Sequence, residues 1–126
     1  MISNIKDYYT LYNSIMNLDE KTRFVTILDK SGTVVFGGQR EGIKNYLSET
    51  EQKKSIQHAL DSWFLRSEFS EKIGDGKYAM AKYGKIKRFT IPLNYAHLLY
   101  ITTEPEINDS FIEDVLKLKE AHEINK

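Results

Sequence analysis

The sequence contains no cysteine, and this absence removes several kinds of chemistry at once. Disulfides, thiolate catalysis and cysteine-based zinc or iron–sulfur sites are all excluded. The 126-residue chain has only two prolines and seven glycines, and it contains no repeat or low-complexity stretch. We therefore expect a single domain over residues 1–126 that is ordered nearly throughout.

The sequence also lacks a charge excess and a long apolar run. Eighteen basic and eighteen acidic residues cancel, whereas a dedicated nucleic-acid-binding protein usually carries a basic excess. No run of about 18 apolar residues occurs, which predicts that no helix is inserted into a membrane. The first ten residues, MISNIKDYYT, lack the basic and apolar blocks of a secretory signal, so we expect a cytoplasmic protein.

The segment RFVTILDKSGTVVFGG, residues 23–38, predicts two strands joined by a tight turn. Residues 23–28 form the first strand and are apolar on both faces, which is typical of a strand covered on both sides. The turn DKSG has aspartate first and glycine fourth, as turns of this kind favour. Residues 33–36 form the second strand, and we expect Gly37 and Gly38 to release the chain into a loop.

Three helices are predicted from capping residues and from apolar side chains spaced three or four apart. The first covers residues 3–17. Ser48 and Glu51 have the spacing of a capping box, which begins a long helix that runs to about residue 69. The last helix is predicted to begin near residue 108.

Three further strands follow the long helix, over residues 77–83, 86–91 and 97–102. The last of them is apolar on both faces, as is the first strand of the chain, so we expect these two strands to lie side by side at the centre. The element order α-β-β-α-β-β-β-α then gives an α+β fold, a five-stranded antiparallel sheet with the order 2-1-5-4-3. The long helix would cover one face of the sheet, and the N- and C-terminal helices would cover the other.

This element order and the hairpin ILDKSGTVVF resemble the roadblock/LC7 family, within the wider profilin- and longin-like group. The similarity continues through GDGKYAMAKYGKIKRFTIPLNYAHLLYITTEPEINDSFIEDVLKLKEA and so covers nearly the whole chain. The loop over residues 37–47 is longer than is usual in that family, and the basic hairpin over residues 82–88 is not a family hallmark. The resemblance implies a regulatory protein-binding module that is not an enzyme and has no cofactor. Its partner would be a small GTPase or a larger scaffold.

Proteins of that family commonly form homodimers through the central helix and the third strand, and the resemblance carries this interface onto the present chain. The third strand would be an unpaired sheet edge, which proteins usually cover or blunt. Its lysines could instead leave it as a solvated edge. The residues implicated in a homodimer interface are Trp63, Phe64, Lys77, Tyr78, Ala79, Met80, Ala81, Lys82 and Tyr83.

A basic stretch over residues 72–88 is the most suggestive surface feature of the sequence. We expect Lys82, Lys85, Lys87 and Arg88 to form a basic surface on the hairpin between the third and fourth strands. Aromatic residues lie among them, so nucleic-acid binding through phosphates and stacking is one interpretation. The zero net charge disfavours nucleic acid, and a solvated hairpin or an acidic protein partner fits the same residues.

The sequence carries no catalytic or metal-binding signature. His58, His97 and His122 lack the spacing of paired metal ligands, and neither a Gly-x-Ser-x-Gly elbow nor a phosphate loop occurs. A small-molecule sensor domain of the PAS or Cache type is the remaining alternative. In that case Tyr46 and Trp63 would line a pocket, although Trp63 equally fits a position in the core.

Overall fold

The computed structural model describes residues 5–94 and 96–122, with side chains from residue 8 onward. Its elements are α1 (Ile5–Met16), β1 (Thr22–Asp29), β2 (Val34–Gln39), α2 (Glu49–Ser67), α3 (Ser70–Ile73), β3 (Ala79–Lys82), β4 (Lys87–Pro92), β5 (His97–Thr103) and α4 (Phe111–Ala121). The predicted cap of the first helix, Ser3 or Asn4, lies outside the described residues. None of the described helices has the length and apolar character needed to cross a membrane.

The strands form one antiparallel sheet with the order β2-β1-β5-β4-β3, which confirms the predicted order. β1 and β5 pair at its centre, where Val25 lies opposite Ile101 and Ile27 lies opposite Leu99. These two strands occupy the centre because apolar side chains on both of their faces can be buried only if both faces are covered.

Two apolar clusters, one on each face, hold the helices against the sheet, as predicted. The larger cluster packs α1 and α4 on one face, and its completely buried members are Ile15, Val25, Ile91, Leu99, Ile101 and Val115. The smaller cluster packs α2 on the other face, and it consists of Leu28, Ile56, Ala59, Leu60, Trp63, Leu98 and Tyr100. Successive residues of a strand point to opposite faces, so β1 and β5 each contribute to both clusters.

The turn between β1 and β2 forms as predicted. The side-chain oxygen Oδ1 of Asp29 accepts hydrogen bonds from the hydroxyl of Ser31 at 2.7 Å and from the backbone amides of Ser31 and Thr33 at 2.9 and 3.0 Å. These bonds, led by that from the Ser31 hydroxyl, lower the pKa of Asp29. Gly32 closes the turn with φ +90°.

β2 does not end at Phe36 as predicted, because the strand continues through Gly37 and Gly38 to Gln39. Gly37 lies opposite Thr26 and has φ +107°. A Cβ on Gly37 would lie 2.2 Å from the carbonyl oxygen of Val25. Glycine therefore keeps β2 paired with β1 at a distance that a side chain would not allow.

The capping box of α2 is confirmed. The amide of Glu51 donates to Ser48 Oγ at 3.2 Å, and the amide of Ser48 donates to Glu51 Oε1 at 2.9 Å. The long helix ends at Ser67, and the short helix α3 that follows was not predicted. β3 is also shorter than the predicted strand over residues 77–83.

Candidate interaction surface and a neighbouring cleft

Trp63, which was expected in a homodimer interface, is a core residue of this domain. Its side chain is 8% exposed and belongs to the cluster beneath α2. The ring also lies against Gly76, where a Cβ would come within 3.1 Å of Trp63 Cη2. Trp63 therefore packs beneath the segment that leads into β3. Of the two α2 residues expected in the interface, Trp63 and Phe64, only Phe64 is exposed.

Large apolar side chains remain exposed along the end of α2, α3 and the beginning of β3. Ile73 is 83% exposed and Leu65 is 62% exposed. We call this set the α2–β3 surface, and its members are Phe64, Leu65, Phe69, Ile73, Tyr78 and Met80. Ile73 had not been anticipated, because the sequence gives no cap that would signal the four-residue helix α3.

β3 forms the outer edge of the sheet beside this surface. Among the described residues it pairs only with β4, with Met80 opposite Phe89 and Ala81 opposite Arg88. Ala79 and Ala81 are half-buried, whereas Met80 and Lys82 are exposed. The strand thus presents an unpaired backbone edge together with an exposed apolar side chain, next to Tyr83, which is also exposed.

The predicted basic surface needs a correction, because two of its four residues are buried. Lys82 and Lys85 are exposed, but Lys87 and Arg88 are only 7% and 8% exposed. As neighbours in β4 they point to opposite faces of the sheet. Lys87 Nζ lies 3.6 Å from an Asp109 carboxylate oxygen, and Arg88 reaches Ser55 of α2 on the other face.

Two cations lie close to the ring of Tyr46, in the loop that precedes α2. The Arg23 guanidinium lies 4.5 Å from the centre of the Tyr46 ring, and Lys85 Nζ lies 5.3 Å from it. Arg23 is itself fixed by Glu104 at 2.8 Å and by the carbonyl of Lys44 at 2.6 Å. The loop is thereby tied to the sheet on one side and to the β3–β4 hairpin on the other.

Two clefts meet at Tyr46. One, of about 410 Å³, extends over β1 and β5, and the other, of about 600 Å³, lies between α2 and the β3–β4 hairpin. The sensor alternative had expected a pocket lined by Tyr46 and Trp63. Tyr46 lines both clefts and Trp63 lines neither.

A hydrogen-bonded group lies under the N-terminal half of α2. Ser55 Oγ is 3.0 Å from the Tyr100 hydroxyl and 3.2 Å from Arg88 Nη1. Burial raises the pKa of the Tyr100 hydroxyl above its usual value. Ser55 and Arg88 also line the 600 Å³ cleft, so this polar group is accessible from it.

The histidines do not assemble into a metal site. His97 Nδ1 lies 2.8 Å from the Tyr8 hydroxyl, and His122 Nδ1 lies 2.7 Å from the carbonyl of Leu118. His58 is exposed on α2 and lines the larger cleft. Among the described residues, no three histidines or acids come close enough together to hold a metal ion.

The sheet order and the two helical layers define a roadblock/LC7-like and profilin-like fold, as the resemblance had predicted. The roadblock/LC7 domain from Streptomyces avermitilis is 12% identical and covers 89% of this chain and 91% of its own, with a TM-score of 0.67. MglB in a tetrameric arrangement is 8% identical and covers 98% of this chain and 91% of its own, with a TM-score of 0.73. LokiProfilin1 in complex with rabbit actin is 16% identical and covers 98% of each chain, with a TM-score of 0.55. No protein-family model and no curated protein matches the chain.

Proposed function

We propose that this protein is a cytoplasmic, non-enzymatic regulatory module that forms a homodimer and binds a protein partner. The observation that carries the proposal is the α2–β3 surface beside the open edge of β3. Exposed apolar patches mark interaction sites in soluble proteins. An unpaired edge strand offers main-chain groups to which a second chain can add a strand.

The dimer contact that we propose brings β3 of one copy against β3 of a second copy. Residues 77–83 would then form the strand contact, with Met80 at its middle, and Phe64 would meet the partner from α2. Complete burial of a fully exposed side chain of this size contributes about 1.5–3 kcal/mol, and Met80, which is 47% exposed, would contribute about half of that. Trp63 would act indirectly, because it packs beneath the segment that leads into β3.

Two of the similar structures support a role in assembly. MglB is described in a tetrameric arrangement, and LokiProfilin1 is described in complex with rabbit actin. The same fold is thus compatible with self-association and with binding of another protein. The small GTPase or scaffold that we propose as partner rests on the resemblance to the roadblock/LC7 family.

Sedimentation velocity tests the dimer. We expect a mass twice that of the chain, and we expect Met80→Lys to raise the dissociation constant at least about tenfold, which corresponds to about 1.4 kcal/mol. Val35→Lys is the matched control, because Val35 is an exposed apolar residue in the opposite edge strand, β2. A wild-type protein that stays monomeric at roughly 100 µM, or equal effects of the two variants, would contradict the proposed interface.

The partner is tested separately with purified small GTPases from the same organism. Each is loaded with GDP or with a non-hydrolysable GTP analogue and measured against the immobilised protein by biolayer interferometry. We expect one nucleotide state to bind more tightly, because a regulatory module must distinguish the two states. Equal binding of both states, or none, would remove the GTPase from the proposal.

The structure bears differently on the two alternative functions, nucleic-acid binding and small-molecule binding. Nucleic-acid binding loses support, because Lys87 and Arg88 are buried on opposite faces of the sheet. Ligand binding gains a specific observation, namely the 600 Å³ cleft lined by Tyr46 and Arg88.

A further inference from the structure

The guanidinium of Arg88 is buried without a carboxylate partner among the side chains that the structure describes. Nη1 donates to Ser55 Oγ at 3.2 Å and makes a long contact of 3.5 Å to the Ser55 carbonyl. Its other described neighbours are the Tyr83 ring, whose centre lies 5.8 Å from Cζ, and the Tyr100 hydroxyl, and neither is an anion. A buried charge is costly unless it is paired, and for arginine the usual partner is a carboxylate or a phosphate. Arg88 is thus available to an anion that comes from outside the chain.

The cleft beside Arg88 has an excess of positive charge. Lys54 and Lys85 line it together with Arg88, and Glu51 is the only acidic residue among the described lining residues. The Glu51 carboxylate is already engaged by the amide of Ser48 at 2.9 Å. The lining therefore carries two net positive charges.

The rest of the cleft is apolar and aromatic. Tyr46 and Tyr83 present their rings to it, and Leu47 and Ile86 add aliphatic surface. Its volume of about 600 Å³ lies within the range of about 300–1,000 Å³ that is usual for small-molecule sites. A ligand that fits this lining has a flat apolar body and a compact anionic group.

We propose that the cleft binds a small molecule in which a phosphate monoester is attached to a flat ring. Arg88, Lys54 and Lys85 hold the phosphate, and the ring lies among Tyr46, Tyr83 and the aliphatic side chains. A phosphate monoester carries a charge of about −1.5 to −2 at neutral pH, which matches the two net positive charges of the lining. A single carboxylate would neutralise only half of them.

This site does not depend on the proposed homodimer. It lies at the N-terminal half of α2, through Glu51, Lys54, Ser55 and His58, whereas the α2–β3 surface begins at Phe64. Tyr83 is the one residue that the cleft shares with the proposed strand contact. A ligand can therefore bind even if the protein is monomeric, and the dimer can form even if no ligand binds.

Titration of the ¹⁵N-labelled full chain with phenyl phosphate, followed by two-dimensional NMR, tests the proposal. Phenyl phosphate combines a phosphate monoester with a flat ring, phenol supplies the ring alone, and inorganic phosphate supplies the anion alone. We expect phenyl phosphate to shift the amides of Ser55, Gly84 and Lys85, and to bind at least about tenfold more tightly than either control. An absence of shifts, shifts confined to other regions, or equal binding of phenyl phosphate and inorganic phosphate would overturn the proposal.

Variants of two adjacent lysines separate the site from general charge effects. Lys53 and Lys54 are both exposed on α2, but only Lys54 lines the cleft. We expect Lys54→Gln to weaken phenyl phosphate binding about threefold to tenfold, in line with the loss of one solvent-accessible hydrogen bond, and Lys53→Gln to leave it unchanged. Equal effects of the two substitutions, or no effect of Lys54→Gln, would overturn the assignment. Arg88→Gln should weaken binding further, and its fold is checked by circular dichroism.

Discussion

Gly37 offers a sharp test of how the edge strand β2 is held against β1. An alanine at this position would place Cβ 2.2 Å from the Val25 carbonyl oxygen and 2.9 Å from the Thr26 Cα, and both are backbone atoms of β1. Neither atom can rotate away, so β2 would have to move off β1. The backbone at this position has φ +107°, a conformation that is unfavourable for any residue with a side chain.

The cost follows from two terms. Holding a non-glycine residue in such a backbone conformation costs about 1–3 kcal/mol. Moving β2 away weakens at least two ladder hydrogen bonds, each worth about 1 kcal/mol. Gly37→Ala should therefore lower the free energy of unfolding by about 3–5 kcal/mol, a large part of the 5–15 kcal/mol that is usual for a domain.

Urea unfolding followed by tryptophan fluorescence measures this loss, because the chain has a single tryptophan and Trp63 is 8% exposed. With a denaturant slope of about 1.5 kcal/mol per molar, the midpoint should fall by about 2–3 M. Gly38→Ala is the matched control, since a Cβ on Gly38 meets nothing within 4 Å. It should change stability by less than about 1 kcal/mol. The reasoning is refuted if the two variants unfold at similar urea concentrations.

Two further predictions concern pH. The folded pKa of Asp29 is lowered, so its contribution to stability is fully present above its ordinary value of 3.8 and is lost as the pH falls through the lower folded value. Asp29→Asn should therefore reduce the free energy of unfolding at pH 7 but not at strongly acidic pH. Urea unfolding from pH 7 to pH 2 measures this, and a constant difference in stability between wild type and variant would contradict it. The folded pKa of Tyr100 is raised above 10.0 by burial, so the unfolded chain ionises first and stability falls as the pH rises past that value. Tyr100→Phe should cost about 1 kcal/mol at pH 7 through its hydrogen bond with Ser55, and it should flatten the alkaline loss; an unchanged alkaline slope would count against the buried hydroxyl.

The parts of the fold that could be predicted are those that depend on local patterns. β1 and β5 are apolar on both faces, and this alone places them at the centre of the sheet. Ser48 and Glu51 define the start of α2 because a capping box uses only residues three positions apart in the chain. The order of the outer strands then follows from short hairpin connections.

The parts that could not be predicted depend on neighbours distant in sequence. Lys87 and Arg88 are charged residues that were expected at the surface. They are buried because Asp109 on one face and Ser55 on the other give them partners within the fold. Gly37 was interpreted as a chain breaker, whereas its missing side chain is what allows the strand to continue. α3 has no side-chain cap, so no local pattern in the sequence predicts this helix.

The cleft illustrates the same limit. Tyr46, Lys54, Lys85 and Arg88 come from a loop, a helix and a hairpin, and no spacing along the chain connects them. Of these four residues only Tyr46 had been considered as a pocket residue, together with Trp63, which does not line the cleft. The burial of Arg88, which gives the site its main charge, becomes visible only when α2 lies over β4.

The separation of the two apolar clusters by the sheet has a consequence for how the molecule can respond. The larger cluster joins β1, β4 and β5 to α1 and α4 without any residue of α2. A displacement of α2 would therefore act first on the smaller cluster, and it would reach the larger cluster only through β1 and β5, which contribute to both. Ile15 of α1 and Leu60 of α2 lie on opposite sides of the sheet, so the effects of substituting both on stability should nearly add. The sheet thus separates a layer built without α2 from the layer to which α2 belongs, together with the 600 Å³ cleft beside it.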